Sequence, residues 1–257
     1  MSRNKISRAS FVLCTVLLAS GCGGSGGGGS NDDNTPPEDN ANAQGLWVGT
    51  TADHRDVTGL IFENGLYYVL YSAPYQPGVI AGVVQGNGST RGDTFTSTNG
   101  RDFNLEGDSV LDARIEATVV ERQTFSGGIS NNVGGSNNFS AAYSNDYEIT
   151  PTIASVAGTY TGEVASSAGY EDAVITVSSN GTLSGVGDSG CTVSGNVAPR
   201  GHGNAYVIEL RFGGAPCLFA NQTLTGIGYF DARTDILYAA APSSDRRDGV
   251  LFFGLKE

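Results

Sequence analysis

The chain has 257 residues and carries 26 acidic against 14 basic side chains, a net charge of −12. A surface that acidic is repelled by nucleic acid and by anionic lipid head groups, and nucleic-acid binding is set aside. The charges fall in ones and twos rather than in blocks, the pattern of a solvated surface.

Arg3, Lys5 and Arg8 precede the apolar run Phe11-Val-Leu-Cys-Thr-Val-Leu-Leu18. Spanning a bilayer takes roughly 20 apolar residues, so this run is too short and reads as the hydrophobic region of a signal peptide. It ends in Leu18-Ala-Ser-Gly-Cys22, which resembles the lipobox of bacterial lipoproteins. That resemblance implies cleavage after residue 21 and acylation of the Cys22 thiol. The family pattern has leucine three positions before the cysteine; here Ala19 stands there and Leu18 is one step early. Gly23 in place of an aspartate implies, by the same resemblance, the outer membrane, on either its periplasmic face or the cell surface. Several acyl chains on Cys22 would hold the chain to the lipid bilayer durably, since each buried methylene contributes about 0.8 kcal/mol. Processing would leave 236 residues with 11 basic and 26 acidic side chains, a net charge of −15.

Residues 22–44 are rich in Gly, Ser, Asn, Asp and Pro and show no apolar periodicity. They are expected to be a flexible tether with a reach of roughly 25 Å on a Gly-rich coil estimate.

From Gly45 onward, short alternating runs are separated by Gly, Asn, Asp and Pro. Leu66-Tyr-Tyr-Val-Leu-Tyr71, Val79-Ile-Ala-Gly-Val-Val84, Ala113-Arg-Ile-Glu-Ala-Thr-Val-Val120 and Ala205-Tyr-Val-Ile-Glu-Leu-Arg-Phe212 have the period of two that marks strands. Asn64-Gly65 and Asn180-Gly181 are expected to form type I′ hairpin turns. No capped stretch of helical periodicity exceeds two turns.

Gly45-Leu-Trp47-Val-Gly49 and Gly158-Thr-Tyr160-Thr-Gly162 share a Gly-x-aromatic-x-Gly pattern, each followed by a second strand and an Asn-Gly turn. The repeat, at roughly 110 residues, is too long for a solenoid and suits two small antiparallel barrels or sandwiches. The expected fold is therefore all-β, with units at 45–150 and 156–257 divided at Thr150-Pro-Thr-Ile-Ala154, each large enough for its own core.

Of four cysteines, Cys14 lies in the cleaved segment and Cys22 is assigned to lipid, leaving Cys191 and Cys217. An even remainder in an oxidising compartment implies one disulfide. The competing reading, a metal pair, finds no His or Cys at ligand spacing.

Gly190-Cys-Thr-Val-Ser-Gly195, Tyr206 through Cys217, and Ala220-Asn-Gln-Thr-Leu-Thr-Gly226 resemble the C-terminal unit of uncharacterised proteobacterial outer-membrane lipoproteins. Phe139-Ser-Ala-Ala-Tyr143 followed by Tyr147 fits the same pattern. The resemblance implies a β-rich fold and an envelope location, and brings no activity.

Gly187-Asp-Ser-Gly190 echoes the nucleophile motif of trypsin-like proteases, and His54, Asp102 and Ser189 fall in the matching order. A triad needs serine and histidine within hydrogen-bond reach beside an oxyanion hole. Cys191 replaces the second glycine after the nucleophile, and His54 comes only a few residues past the first strand, too early for that fold. The other histidine, His202, sits in a turn-like Gly-rich segment, and Asp245-Arg-Arg-Asp248 reads as a mixed-charge turn. Neither metal spacing nor a phosphate-cradling loop is present, so no cofactor or metal is called for.

Trp47 and Tyr160 occupy the place of the aromatic residue in lipocalin-like barrels. Two readings stay open: a ligand bound in a barrel mouth, or aromatics that plug a barrel floor. Tyr67, Tyr68, Tyr71 and Tyr75 are denser than a core needs, which makes them candidates for an exposed recognition surface for a protein or glycan partner. The resulting reading is a non-catalytic, membrane-anchored binding module. The alternative is an inhibitor or immunity protein acting on an envelope enzyme or toxin.

Overall fold

A computed structural model describes residues 40–107 and 110–257. The signal peptide, Cys22 and nearly all of the expected tether lie outside the described residues.

Alternation is what makes the strands. In Leu111–Val120 the side chains of Ala113, Ile115, Ala117 and Val119 are buried while Asp112, Arg114, Glu116 and Thr118 face water. Burying one face of a two-fold pleat requires a sheet closed on, or packed against, another apolar face. Here the sheets close.

The first unit comprises β1 (Gly45–Thr51), β2 (Asp56–Ile61), β3 (Leu66–Ala73), β4 (Gln76–Asn87), β5 (Ser89–Arg91), β6 (Thr94–Asn104), β7 (Leu111–Val120), β8 (Thr124–Asn131) and β9 (Ser136–Ser144). β1 pairs with β9, and β4 pairs past the short β5 with β6, from Gly82 opposite Asn104 to Gln85 opposite Arg101. Eight antiparallel strands thus form a ring, with β5 as a flap paired to β6.

The second unit comprises β10 (Gly158–Ser166), β11 (Gly169–Val177), β12 (Thr182–Gly187), β13 (Thr192–Pro199), β14 (Tyr206–Phe212), β15 (Thr223–Asp231), β16 (Ile236–Pro242) and β17 (Gly249–Lys256). It is an up-and-down barrel closed by β10 against β17. The protein is therefore all-β, two eight-stranded antiparallel barrels in tandem. Between them lie a single 3₁₀ turn, Asn145–Glu148, and a one-turn helix α1 (Ile153–Val156) whose first turn is capped by the Thr152 side chain.

The Gly-x-aromatic-x-Gly repeat has the same structural meaning in both barrels. Trp47 Nε1 donates to the Ala43 carbonyl at 2.9 Å and Tyr160 Oη to the Val156 carbonyl at 2.7 Å. Each ring reaches back four residues and closes the end at which the chain enters, with at most 1% of the residue exposed. The second glycine of each motif lies against the closing strand. A Cβ on Gly49 would stand 2.0 Å from the Ser140 carbonyl oxygen, and one on Gly162 would stand 2.1 Å from that of Phe253.

The two Asn-Gly turns differ from expectation. Type I′ needs positive φ at both central residues, but only Gly65 (φ 76°) and Gly181 (φ 85°) have it. Each turn is a three-residue loop: Gly65 N–H donates to the Phe62 carbonyl and Gly181 N–H to that of Ser178. The asparagine instead uses its side-chain oxygen to accept from Leu66 N–H or Thr182 N–H. An Asx contact therefore replaces the left-handed asparagine.

A disulfide joins Cys191, in the β12–β13 turn, to Cys217, in the β14–β15 connection. Each barrel has its own core. Two further clusters join the barrels side by side. Leu46, Leu60, Phe62 and Tyr147 pack against Ala205, Ile227 and Tyr229, while Ile80 and Val83 pack with Ala165 and Leu251. Two arginines of the second barrel reach across. Arg200 lies 3.9 Å over the Phe62 ring and pairs with Glu63, and Arg246 donates to the carbonyls of Gln85 and Asn99. The second unit is thus held to the first by apolar contact as well as by chain connectivity.

Candidate functional site

The lumen of the first barrel holds a cavity of about 350 Å³. That lies within the usual range for small-molecule pockets. Its lower wall is apolar, with Trp47 and Phe125 toward the floor and Ile61, Val84, Ile115 and Ile129 around it. Its upper wall and rim are polar, with Asp53, Arg55, Tyr71, Asp102, Asn131 and Asn137 at the end away from Trp47.

The polar end is tied together. Arg55 Nε donates to Asp53 Oδ2 at 2.8 Å, while its Nη1 donates to Glu106 Oε2 at 2.6 Å and to the Ser72 carbonyl at 3.0 Å. Asp53 also accepts from Thr51 and Asn137. Partial burial opposes ionisation of Asp53, but the hydrogen bonds from Thr51, Arg55 and Asn137 and the Arg55 charge outweigh it, holding the carboxyl at about 2. Arg55 and its two carboxylates thus form a fixed brace across the rim.

Asp102 lies apart from that brace. Among the described residues its side chain accepts one hydrogen bond, from Tyr71 Oη at 2.7 Å. Tyr71 on β3 and Asp102 on β6 are separated by β4, so the contact must cross a strand. Gly82 of β4, paired with Tyr71, permits the crossing: a Cβ there would meet the phenol oxygen at 2.3 Å. Burial raises the Asp102 pKa, with Glu106 adding to the rise, while the Tyr71 hydrogen bond and the Arg55 charge oppose it. The Tyr71 phenol is pushed well above its ordinary range, first by burial and then by Asp102. It stays neutral and serves as a donor.

The four tyrosines singled out in the sequence do not form one surface. Alternation along β3 turns Tyr67 and Tyr71 into the lumen, where Tyr67 is buried against Ser97, and turns half-buried Tyr68 toward the second barrel. Only Tyr75, in the turn after β3, is exposed, with its ring 4.6 Å from that of His54 and tilted 31° to it. An exposed tyrosine surface is therefore replaced by one lumen tyrosine that takes part in the cavity.

The protease-like residues are not brought together. Ser189 lies in the second barrel, where its N–H donates to Glu171 and its hydroxyl accepts from Cys191 N–H. His54 is on the rim of the first barrel, and Asp102 is bonded to Tyr71 inside it. His202 is an exposed loop residue. Among the described residues no group of three His, Cys, Asp or Glu is placed to hold a metal.

Trp47 and Tyr160 both close barrel floors. In the first barrel this leaves space above the ring. In the second, Tyr160 packs edge-on to Phe230, and Tyr206, Leu237 and Phe252 fill the core with it.

No family model matches the sequence, and no curated protein matches it. Among solved structures, transferrin binding protein B from serogroup B Neisseria meningitidis aligns with 10% identity and a TM-score of 0.33, over 79% of this chain and 59% of that one. A mutant of the vaccine antigen transferrin binding protein B from Haemophilus parasuis aligns with 12% identity and a TM-score of 0.28, over 78% of this chain and 53% of that one. The chain spans little more than half the length of these structures.

Proposed function

We propose that this chain is a lipid-anchored envelope protein whose first barrel is a calyx for a small amphipathic ligand, bound without being turned over. The observation that carries the reading is the lumen cavity, with an apolar floor at Trp47 and a braced polar rim at Arg55. Such a site combines apolar walls, which supply affinity, with a few fixed polar groups, which supply orientation. The anchor belongs to the same proposal and rests on the lipobox-like Leu18–Cys22 segment.

Trp47 is the single tryptophan of the chain and lines the cavity, so the site contains its own reporter. Titration with the neutral apolar probe N-phenyl-1-naphthylamine should change Trp47 emission saturably, with energy transfer to the probe. Ala113→Phe, which fills the lumen at a cost of about 1–3 kcal/mol of overpacking, should abolish the change while leaving the β-type circular dichroism intact. A probe that binds the filled variant as well as the native protein would place the binding elsewhere and overturn the calyx.

A further inference from the structure

The charged groups of the calyx are unevenly committed, and that imbalance specifies a ligand class. Asp53 and Arg55 are engaged in the brace: Arg55 donates from Nε and Nη1 to Asp53, Glu106 and the Ser72 carbonyl, and Asp53 accepts from Thr51, Arg55 and Asn137. Asp102 is not. It projects from β6 into the lumen beside Val69, Val84, Ala113 and Ile115, and among the described residues one neutral phenol donates to it. Among the described residues that line the cavity there is no lysine, and Arg55 is the single cation. With Asp53 and Glu106 flanking that one arginine, the polar end carries more negative than positive charge before Asp102 is counted.

A buried carboxylate is disfavoured unless it is paired or well supplied with donors. The Asp102–Tyr71 pair leaves acceptor capacity unused, because an ionised carboxylate offers about four lone-pair sites and Tyr71 occupies one. A ligand entering over the rim with its apolar body on Trp47 and Phe125 would bring its head group level with Asp102.

We infer that the calyx selects amphiphiles whose head group is a hydrogen-bond-donating cation, such as an ammonium or amidinium, and that Asp102 is the residue that seats it. This deepens the calyx reading and rests on it. An anionic head would meet three carboxylates, Asp53, Glu106 and Asp102, around one arginine whose Nε and Nη1 already donate to Asp53, Glu106 and the Ser72 carbonyl. A neutral head would satisfy one lone pair and leave the charge uncompensated. The raised pKa of Asp102 agrees with a site still short of a positive partner.

The test uses the whole chain and three probes of equal apolar length, n-octylammonium, 1-octanol and octanoate, titrated near neutral pH with Trp47 emission as the readout. Octylammonium is expected to bind at least tenfold tighter than either of the others. Asp102→Asn should erase that gap and leave octanol binding in place. Tyr71→Phe, which keeps the carboxylate, should retain the preference. If octanol or octanoate binds as tightly as octylammonium, the inference is wrong and the calyx stands. If none of the three moves Trp47 emission, the calyx reading falls and the inference falls with it. Should Asp102→Asn fail to fold, the ranking of the three probes on the unaltered protein still decides.

Discussion

Replacing Phe62 by alanine probes the bond between the barrels. Phe62 follows β2, is 1% exposed, and lies outside the first barrel's lumen. Its ring is sandwiched between the Leu46–Leu60 cluster and the Arg200 guanidinium of the second barrel, 3.9 Å away. Truncating a buried phenylalanine costs about 3–5 kcal/mol in lost transfer energy and residual cavity. A desolvated cation–π contact contributes about 2 kcal/mol, part of which is counted in the same burial. The combined loss is about 5 kcal/mol, and for a body of this size about 2–4 °C of Tm is lost per kcal/mol. The midpoint should therefore fall by roughly 10–20 °C if the barrels unfold together. Differential scanning calorimetry reads both quantities at once. The native chain should show one transition, and Phe62→Ala a lower one, split in two if the seam fails before the barrels do. Phe62→Leu, which keeps most of the apolar volume and loses the cation–π face, should fall between. A shift for Phe62→Ala under about 3 °C, with two transitions already present in the native chain, would refute the reasoning and make the barrels independent.

Other outcomes follow from single contacts. Cys191→Ala opens a cross-link spanning 26 residues; the chain-entropy model gives about 3.5 kcal/mol, an upper figure to be checked by urea melts with and without reductant. Asp102 has a raised pKa in the folded state, so the folded protein keeps a proton that the unfolded chain has already released. Stability should then be full below the ordinary aspartate value near 4, fall as pH rises through the folded value, and level off above it. Asp102→Asn, which preserves the acceptor for Tyr71, should remove that fall and be the more stable protein at neutral pH; denaturant midpoints across pH decide it. Gly162→Ala drives a methyl into the Phe253 carbonyl across the seam that closes the second barrel, and should lower its melting point more than Gly214→Ala, where nothing lies within 4 Å. Cys22→Ser should abolish incorporation of labelled palmitate, and undiminished labelling would remove the anchor from the proposal.

How far the sequence could be read depends on how far apart the interacting residues are. β7 and β14 were legible because alternation is local and a half-buried strand cannot hide it. Closure of the first barrel was not: the part of β6 that pairs with β4, Arg101-Asp-Phe-Asn104, offers one apolar residue in four, and that pairing skips over β5. The Asn-Gly dipeptides mark where the turns fall but not their type, since side-chain capture of a backbone N–H leaves no trace in a dipeptide. Tyr71 was noticed for its exposure and Asp102 for its order relative to a serine. Their actual relation spans 31 residues and a strand, and the visible sign of it is Gly82, a glycine inside the apolar run Val79–Val84. Such a residue often marks the close approach of another group.

The chain enters the first barrel at its closed end. Ala41 N–H donates to the Gly92 carbonyl, Gly92 N–H donates to Asn40, and the Ala43 carbonyl is bonded to Trp47. Residues 40–43 are therefore stitched to the β5–β6 turn at the closed end, opposite the rim that carries Asp53 and Asn137. A pull applied through the preceding chain is borne by the floor and by shear along β1, not by the hairpins around the opening. The chain thus joins this cup at its base, and the opening lies at the opposite end of the barrel.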